Sequence, residues 1–257
     1  MLPSLFVSHG APTLILENGP SCDFLRGLGA ALPRPKAILA VSAHWETEQP
    51  TLSAATQPET IHDFYGFPDA LYRLRYPAPG APELARRAAS LLRADDLHPA
   101  IDSARGLDHG AWVPLMLMYP EADIPVLQLS IQPQLGTAHH VSVGRALAPL
   151  REEDVLILAS GGAVHNLRAL AWNEEGRPQV WAREFDEWLA RSVETAAVDD
   201  LVAYRERAPG AVQSHPRDEH LMPIFVALGT AQKHALGKRI YHGFEHGSLS
   251  MAAFSFS

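Results

Sequence analysis

Four short aliphatic runs, each closed by turn residues, constrain this 257-residue chain more than any other feature. They are Leu2–Ser8, Lys36–Ala43, Ile124–Ile131 and Asp154–Ser160, the last followed by Gly161-Gly162. Apolar runs of this length, without polar alternation, are how strands covered on both faces read. Helical patterns lie between them. Pro82–Ala94 starts with Pro, a common first-turn residue, and puts Leu84, Ala88, Leu91 and Leu92 on one face. Ala138–Leu150 and Gln179–Ala197 read as further helices, and Leu221–Gly229 as a short buried one ended by Gly229. The tail returns to strand patterns at Arg239–Phe244 and Ser248–Phe254, around a turn at Glu245-His246-Gly247. Strands alternating with helices predict a single α/β domain over residues 1–257, with a central mostly parallel or mixed sheet flanked by helices on both faces. Pro50–Ala81 has many Pro and aromatic residues and little periodicity; a loop this long in a compact domain is usually functional.

Composition removes several function classes. The net charge of −8, with no run of Lys or Arg, disfavours a nucleic-acid partner. No apolar run approaches the roughly 20 residues of a membrane span, and the first basic residue is Arg26, so the start does not read as a signal peptide. The expected location is the cytoplasm. The lone Cys22 excludes an intramolecular disulfide and a cysteine-based zinc site. The unusual count is histidine, at 13, so any metal site is built from imidazole and carboxylate.

Three of the predicted strands run into a histidine: Ser8-His9-Gly10, Ala43-His44-Trp45 and Gly161-Gly162-Ala163-Val164-His165. Ligands of open α/β sheets bind at the carboxyl ends of strands, so parallel neighbours would gather these imidazoles into one site. His109 follows Asp108, which either orients it or caps the helix that follows. His215 and His220 lie at the entry to the Leu221–Gly229 helix, where Asp218 and Glu219 either take part or complement the helix dipole. His62 sits in an aromatic loop with Phe64, Tyr65, Phe67 and Tyr72, which either lines a pocket or packs onto the sheet. His98, His139, His140, His234, His242 and His246 are expected at the surface.

Six motifs in order then resemble one family. They are His9-Gly10-Ala11-Pro12, Ser42-Ala43-His44-Trp45, Asp63-Phe64-Tyr65-Gly66-Phe67-Pro68, Asp108-His109-Gly110-Ala111-Trp112, the segment from Gly161 to Arg168, and His215-Pro216 with Glu219-His220. The resemblance is to the class III, DODA-type extradiol aromatic-ring-opening dioxygenases, and it runs from His9 to the C-terminal strand. It implies a mononuclear Fe(II) site, with Zn(II) able to occupy it in purified protein, a small catecholic substrate and O2. A homo-oligomer is possible within the family. Position by position, His9, His44 and His220 match metal ligands. His165 matches a histidine beside the metal, a ligand in some members and an acid/base in others. His109 matches a histidine facing the substrate. Trp45, Phe64, Tyr65 and His215 are the expected substrate contacts. The wider superfamily uses two histidines and a carboxylate; here His220 is favoured as the third ligand, with Glu219 the alternative, since neighbours on a helix point apart. A zinc-dependent hydrolase on the same histidines, or a non-catalytic metal-binding protein, are the other readings. An imidazole base with an unperturbed value near ~6.5 predicts an acid limb of activity near there.

Overall fold

The computed structural model describes residues 1–171, 178–231 and 236–257. Among the described residues ten strands run β1 (Ser4–Ser8), β2 (Ala37–Glu46), β3 (Thr51–Ser53), β4 (Ala100–Asp102), β5 (Val126–Ile131), β6 (Val155–Gly161), β7 (Gly237–Tyr241), β8 (Phe244–Glu245), β9 (Leu249–Ser250) and β10 (Ala253–Phe256). Eight form one sheet in the order β4-β3-β5-β2-β6-β1-β10-β7, and β8 and β9 form a separate hairpin. The centre, β5-β2-β6-β1, is parallel. The β3–β5, β1–β10 and β10–β7 pairs are antiparallel, so the sheet is mixed.

The long helices are α1 (Pro20–Ala31), α3 (Pro82–Ala94), α4 (His109–Met118), α5 (Gly136–Leu147), α6 (Val180–Glu194) and α10 (Met222–Gly229). The shorter ones are α2 (Asp69–Arg73), α7 (Val198–Val202), α8 (Tyr204–Arg207) and α9 (Ala211–Ser214). They cover both faces. Leu39, Val41, Ile157 and Ala159 pack into one core with residues of α3, α5, α6 and α10. Ile38, Ala40, Leu156 and Leu158 pack into the other with α1 and α4. Successive residues of one strand thus enter opposite cores, which is why β2 and β6 are apolar without alternation.

Several expectations shift. Pro82–Ala94 is helical over the span the pattern predicts. The expected Ala138–Leu150 helix starts at Gly136, ends at Leu147 and continues as a 3-10 turn from Ala148 to Glu153. The predicted Arg239–Phe244 strand divides: β7 ends at Tyr241 and Phe244 joins the hairpin, whose turn holds His246 and Gly247 at positive φ. β2 runs three residues beyond Ala43, to Glu46. His44 therefore lies inside it, where its register against β5 shifts between Val41 and Glu46. Such an irregularity re-aims a side chain locally. The Pro50–Ala81 stretch contains β3 and α2, and its ends are pinned by backbone bonds such as Gly80 N–H to Thr56 O. No helix among the described residues is long and apolar enough to cross a membrane.

Candidate metal centre

The sheet order places β2, β6 and β1 side by side, so the residues at their carboxyl ends converge. The ring nitrogens of His9, His44 and His220 lie within 4.8 Å of one another. His9 Nε2 and His44 Nε2 are 3.0 Å apart. Two ligands about 2.0–2.1 Å from one ion and near a right angle are separated by about this distance.

Each ring is oriented by its second nitrogen. His9 Nδ1 is 3.0 Å from Ser160 Oγ, and Ser160 Oγ donates to the Gly110 carbonyl at 2.5 Å. A hydroxyl has one proton. Since Gly110 takes it, His9 Nδ1–H is the donor to Ser160, and His9 Nε2 carries its lone pair into the site. The Gly110 carbonyl is offered to Ser160 because the residue four positions on, inside α4, is Pro114, which has no N–H to give it. His220 Nδ1 donates to Glu219 Oε1 at 3.1 Å, and its buried Nε2 has no partner among the described residues. That orphaned acceptor suits a metal ion. His44 Nδ1 is 3.5 Å from Asp63 Oδ2.

The Asp63 carboxylate also holds His109 at two points, accepting from its backbone N–H at 2.9 Å and lying 2.9 Å from its ring Nδ1. Burial alone raises the Asp63 carboxyl, but the His109 bonds outweigh it and hold it below the usual carboxylate range. Asp108 does not orient the His109 ring. It is fully buried and caps α4 at Ala111 N–H, and it accepts from Ser42 Oγ at 2.6 Å, from Arg105 at 3.1 Å and from Gln128. Ser42 Oγ in turn meets the His44 N–H at 3.2 Å. Gly110 permits this approach, because a Cβ there would collide with Ser42 Oγ and His44 Cδ2.

Burial, followed by repulsion from neighbouring histidines, pushes the imidazoles of His9 and His220 well below their ordinary value, and those of His44 and His165 down to about 3. All four are neutral at pH 7, the form that binds metal. His165 is stacked on His220, with ring centroids 3.4 Å apart and planes 6° from parallel. Its nearest metal-capable grouping is with Glu219 and His220, not with His9 and His44. Glu219 and His220 lie in the turn before α10 and not on the helix, which begins at Met222, so both line the same cavity. That cavity measures about 590 Å³. His9, His44, His109, His165 and His220 line it together with Phe64 and Phe67.

Three expected substrate contacts lie elsewhere. Trp45 is buried beneath the Arg105 guanidinium, 5.0 Å from it, because it follows His44 on a strand and so faces the other way. Tyr65 is 90% exposed and does not line the cavity. His215 is buried in the core, Nε2 donating to the Ala163 carbonyl at 3.0 Å and the ring 5.2 Å from Phe185. Phe64 does line the cavity, edge-on to His109 at 5.7 Å. His62 and Tyr72 instead pack the loop, His62 against the Leu74 carbonyl and Tyr72 against that of Phe64. One histidine expected at the surface is not there. His140 is 1% exposed, bonded between the Gly136 carbonyl and the Gln132 N–H, whereas His246 is partly buried and lines the cavity. His234 lies outside the described residues.

The chain is similar to known proteins along nearly its whole length. Residues 4–255 match the family model described as the catalytic LigB subunit of aromatic ring-opening dioxygenase. A 4,5-DOPA dioxygenase extradiol of Beta vulgaris is 42% identical over 99% of this chain and 96% of its own length. One of Escherichia coli K12 is 42% identical over 97% of this chain and 93% of its own. A crystal structure of an uncharacterized protein from Escherichia coli K12 superposes with a TM-score of 0.86 at 37% identity, covering 100% of both chains. The chain therefore belongs to the LigB family of aromatic ring-opening dioxygenases, metal-dependent enzymes that join dioxygen to a small aromatic substrate, and it is an extradiol dioxygenase.

Proposed function

We propose that the site binds Fe(II) through His9, His44 and His220 and opens the ring of a catechol next to its diol. The observation that carries this is the set of three converging imidazoles, two of them with Nδ1 committed as a donor to Ser160 or Glu219, so that Nε2 is left as an acceptor. Fe(II) held there by His9, His44 and His220 would bring a catechol diol and dioxygen together and would supply a route for electrons between them that the direct reaction of triplet dioxygen with a catechol lacks.

The protein's own part is to orient the ring and take its protons. A diol must lose protons to chelate, and the acceptor has to sit within hydrogen-bond reach. His109 is the better acceptor. Its Nδ1 faces the Asp63 carboxylate, which stabilises the imidazolium that forms, as a buried carboxylate does behind a catalytic histidine. His165 is the poorer base, because burial and the histidines around it disfavour its charged form. This exchanges the two roles that the family resemblance implies. His165 then hydrogen-bonds the substrate, and Phe64 packs against the ring.

The test is anaerobic loading with Fe(II), followed by aerobic incubation with a panel of catechols that includes DOPA, for which several relatives are named. A yellow ring-opened semialdehyde is expected. An iron-retaining protein that opens no catechol contradicts the proposal. His44→Ala should lose the metal, and full metal content in that variant contradicts the ligand set.

A further inference from the structure

The ladder that builds β2 lets go where His44 lies. Pairing with β6 runs as far as Ser42, and pairing with β5 passes from Val41 to Glu46, so Ala43, His44 and Trp45 fall between paired residues. Side chains must then fix the direction of what this stretch carries. Two of them lead to Asp108. Ser42 Oγ accepts the His44 N–H at 3.2 Å and donates to Asp108 Oδ1 at 2.6 Å. Arg105 lies over the Trp45 ring at 5.0 Å and donates to Asp108 Oδ2 at 3.1 Å. The same carboxylate caps α4, whose first residue is His109, by accepting from the Ala111 N–H. Gln128 of β5, itself fully buried, fastens residue 108 at two points: Nε2 donates to the carboxylate and Oε1 accepts the Asp108 N–H at 3.3 Å.

A fully buried carboxylate costs more than a helix cap requires, since Ser or Asn would satisfy the same N–H without burying a charge. What the carboxylate adds is acceptor capacity: its two oxygens meet donors from β2, β5, α4 and the Arg105 segment at once. We propose that Asp108 is the positioning residue of the metal centre. It sets His44 through Ser42 and through Arg105 on Trp45, and it sets His109 through the cap of α4. One carboxylate thereby fixes the placement of a metal ligand relative to the proton acceptor, whose ring centroids are 3.9 Å apart. Asp63 acts on those two rings, and Asp108 acts on the backbone that carries them. This rests on the roles proposed above for His44 and His109.

The two arms are separable. Ser42→Ala cuts the one to the His44 N–H and leaves the cap and the Arg105 pair; Trp45→Leu cuts the one through Arg105. In chelator-competition titrations of the full chain, each should bind Zn(II) about tenfold or more weakly than wild type, as when an outer partner of a metal ligand is lost. At saturating Fe(II), Ser42→Ala should keep more of kcat than Asp108→Asn, which disturbs His109 as well. Because Asp108→Asn also leaves Arg105 without its counter-ion, the two single-arm variants decide the matter if that protein does not fold. A merely stabilising network would leave the His44 ring where it is. Long-range proton–nitrogen spectra of the metal-free proteins should instead show the His44 imidazole signals displaced in both variants, with those of His98, on the segment before β4, in place. A Ser42→Ala protein with wild-type Zn(II) affinity overturns the proposal, and so do His44 signals that stay in place in both variants. If the wild-type protein binds no Zn(II), the ligand set fails, and the His44 signals still decide whether Asp108 positions that ring.

Discussion

At the scale of single residues, the site depends on side chains that fix histidine tautomers. The chain from Pro114 through the Gly110 carbonyl and Ser160 to His9 is one such device. Ser160→Ala removes the acceptor for His9 Nδ1–H, so the ring loses its fixed orientation. Metal affinity should fall about 10–100-fold, as is typical when such an outer partner is removed; a competition titration with a chelator checks it, and unchanged affinity contradicts the relay. The Asp63–His109 pair is the second device. His109→Ala should retain metal and lose turnover by about 10²–10⁴-fold, the usual worth of a proton-transfer group. His165→Ala should lose less. The reverse ranking in steady-state rates would return the base to His165. No role for Ser160 or for Asp63, the first residue of a quoted motif, was legible in the sequence, because their partners are distant along the chain: His9 lies 151 residues from Ser160, and His109 lies 46 from Asp63. What was legible were the histidines themselves: His9, His44 and His165 follow or interrupt recognisable strands, and His220 precedes a recognisable helix.

Among the elements, legibility followed burial. The four central strands were readable because both faces are covered, which leaves an uninterrupted apolar run. β3 and β4 were not, being three residues each, with β4 only half-buried. α1 was missed because Gly27 and Gly29 break its helical signal; Gly29 is there for a close approach, since a Cβ would strike the Met118 backbone of α4. Trp45 and His215 were misplaced for a related reason. Proximity in sequence to a ligand says nothing about which face of a strand, or which side of a turn, a side chain occupies. Gly161 shows what the strand ends must satisfy. A Cβ there would collide with the His220 carbonyl, and the neighbouring Gly162 N–H donates to that same carbonyl at 2.9 Å. Those contacts hold the turn bearing His220 against β6. Gly161→Ala should therefore displace His220 and weaken metal binding, while a Gly161→Ala protein with wild-type metal affinity would show that the turn is held by other means.

For the whole molecule, the ends are tied together by a buried cation. Arg151 is 1% exposed and donates to the Leu2, Thr230 and Phe256 carbonyls at 2.8, 2.6 and 3.1 Å. Buried histidines set how the fold responds to acid. Burial holds His140 and His215 down at about 4, against an ordinary value near 6.5. The unfolded chain takes up protons below about 6.5 and the folded one does not until about 4. Stability should be level above about pH 6.5 and fall progressively from there towards about pH 4. Thermal melts of the metal-free protein check this, and a midpoint unchanged from about pH 7 to about pH 4.5 contradicts it. The central claim, that this chain joins both atoms of dioxygen to a catechol, is tested most directly by turnover of the Fe(II)-loaded protein under isotopically labelled dioxygen with mass analysis of the ring-opened product. The product should carry both labelled atoms, allowing for exchange of the aldehyde oxygen with water. A product with no label at short reaction times, or consumption of the catechol without uptake of dioxygen, would contradict the account.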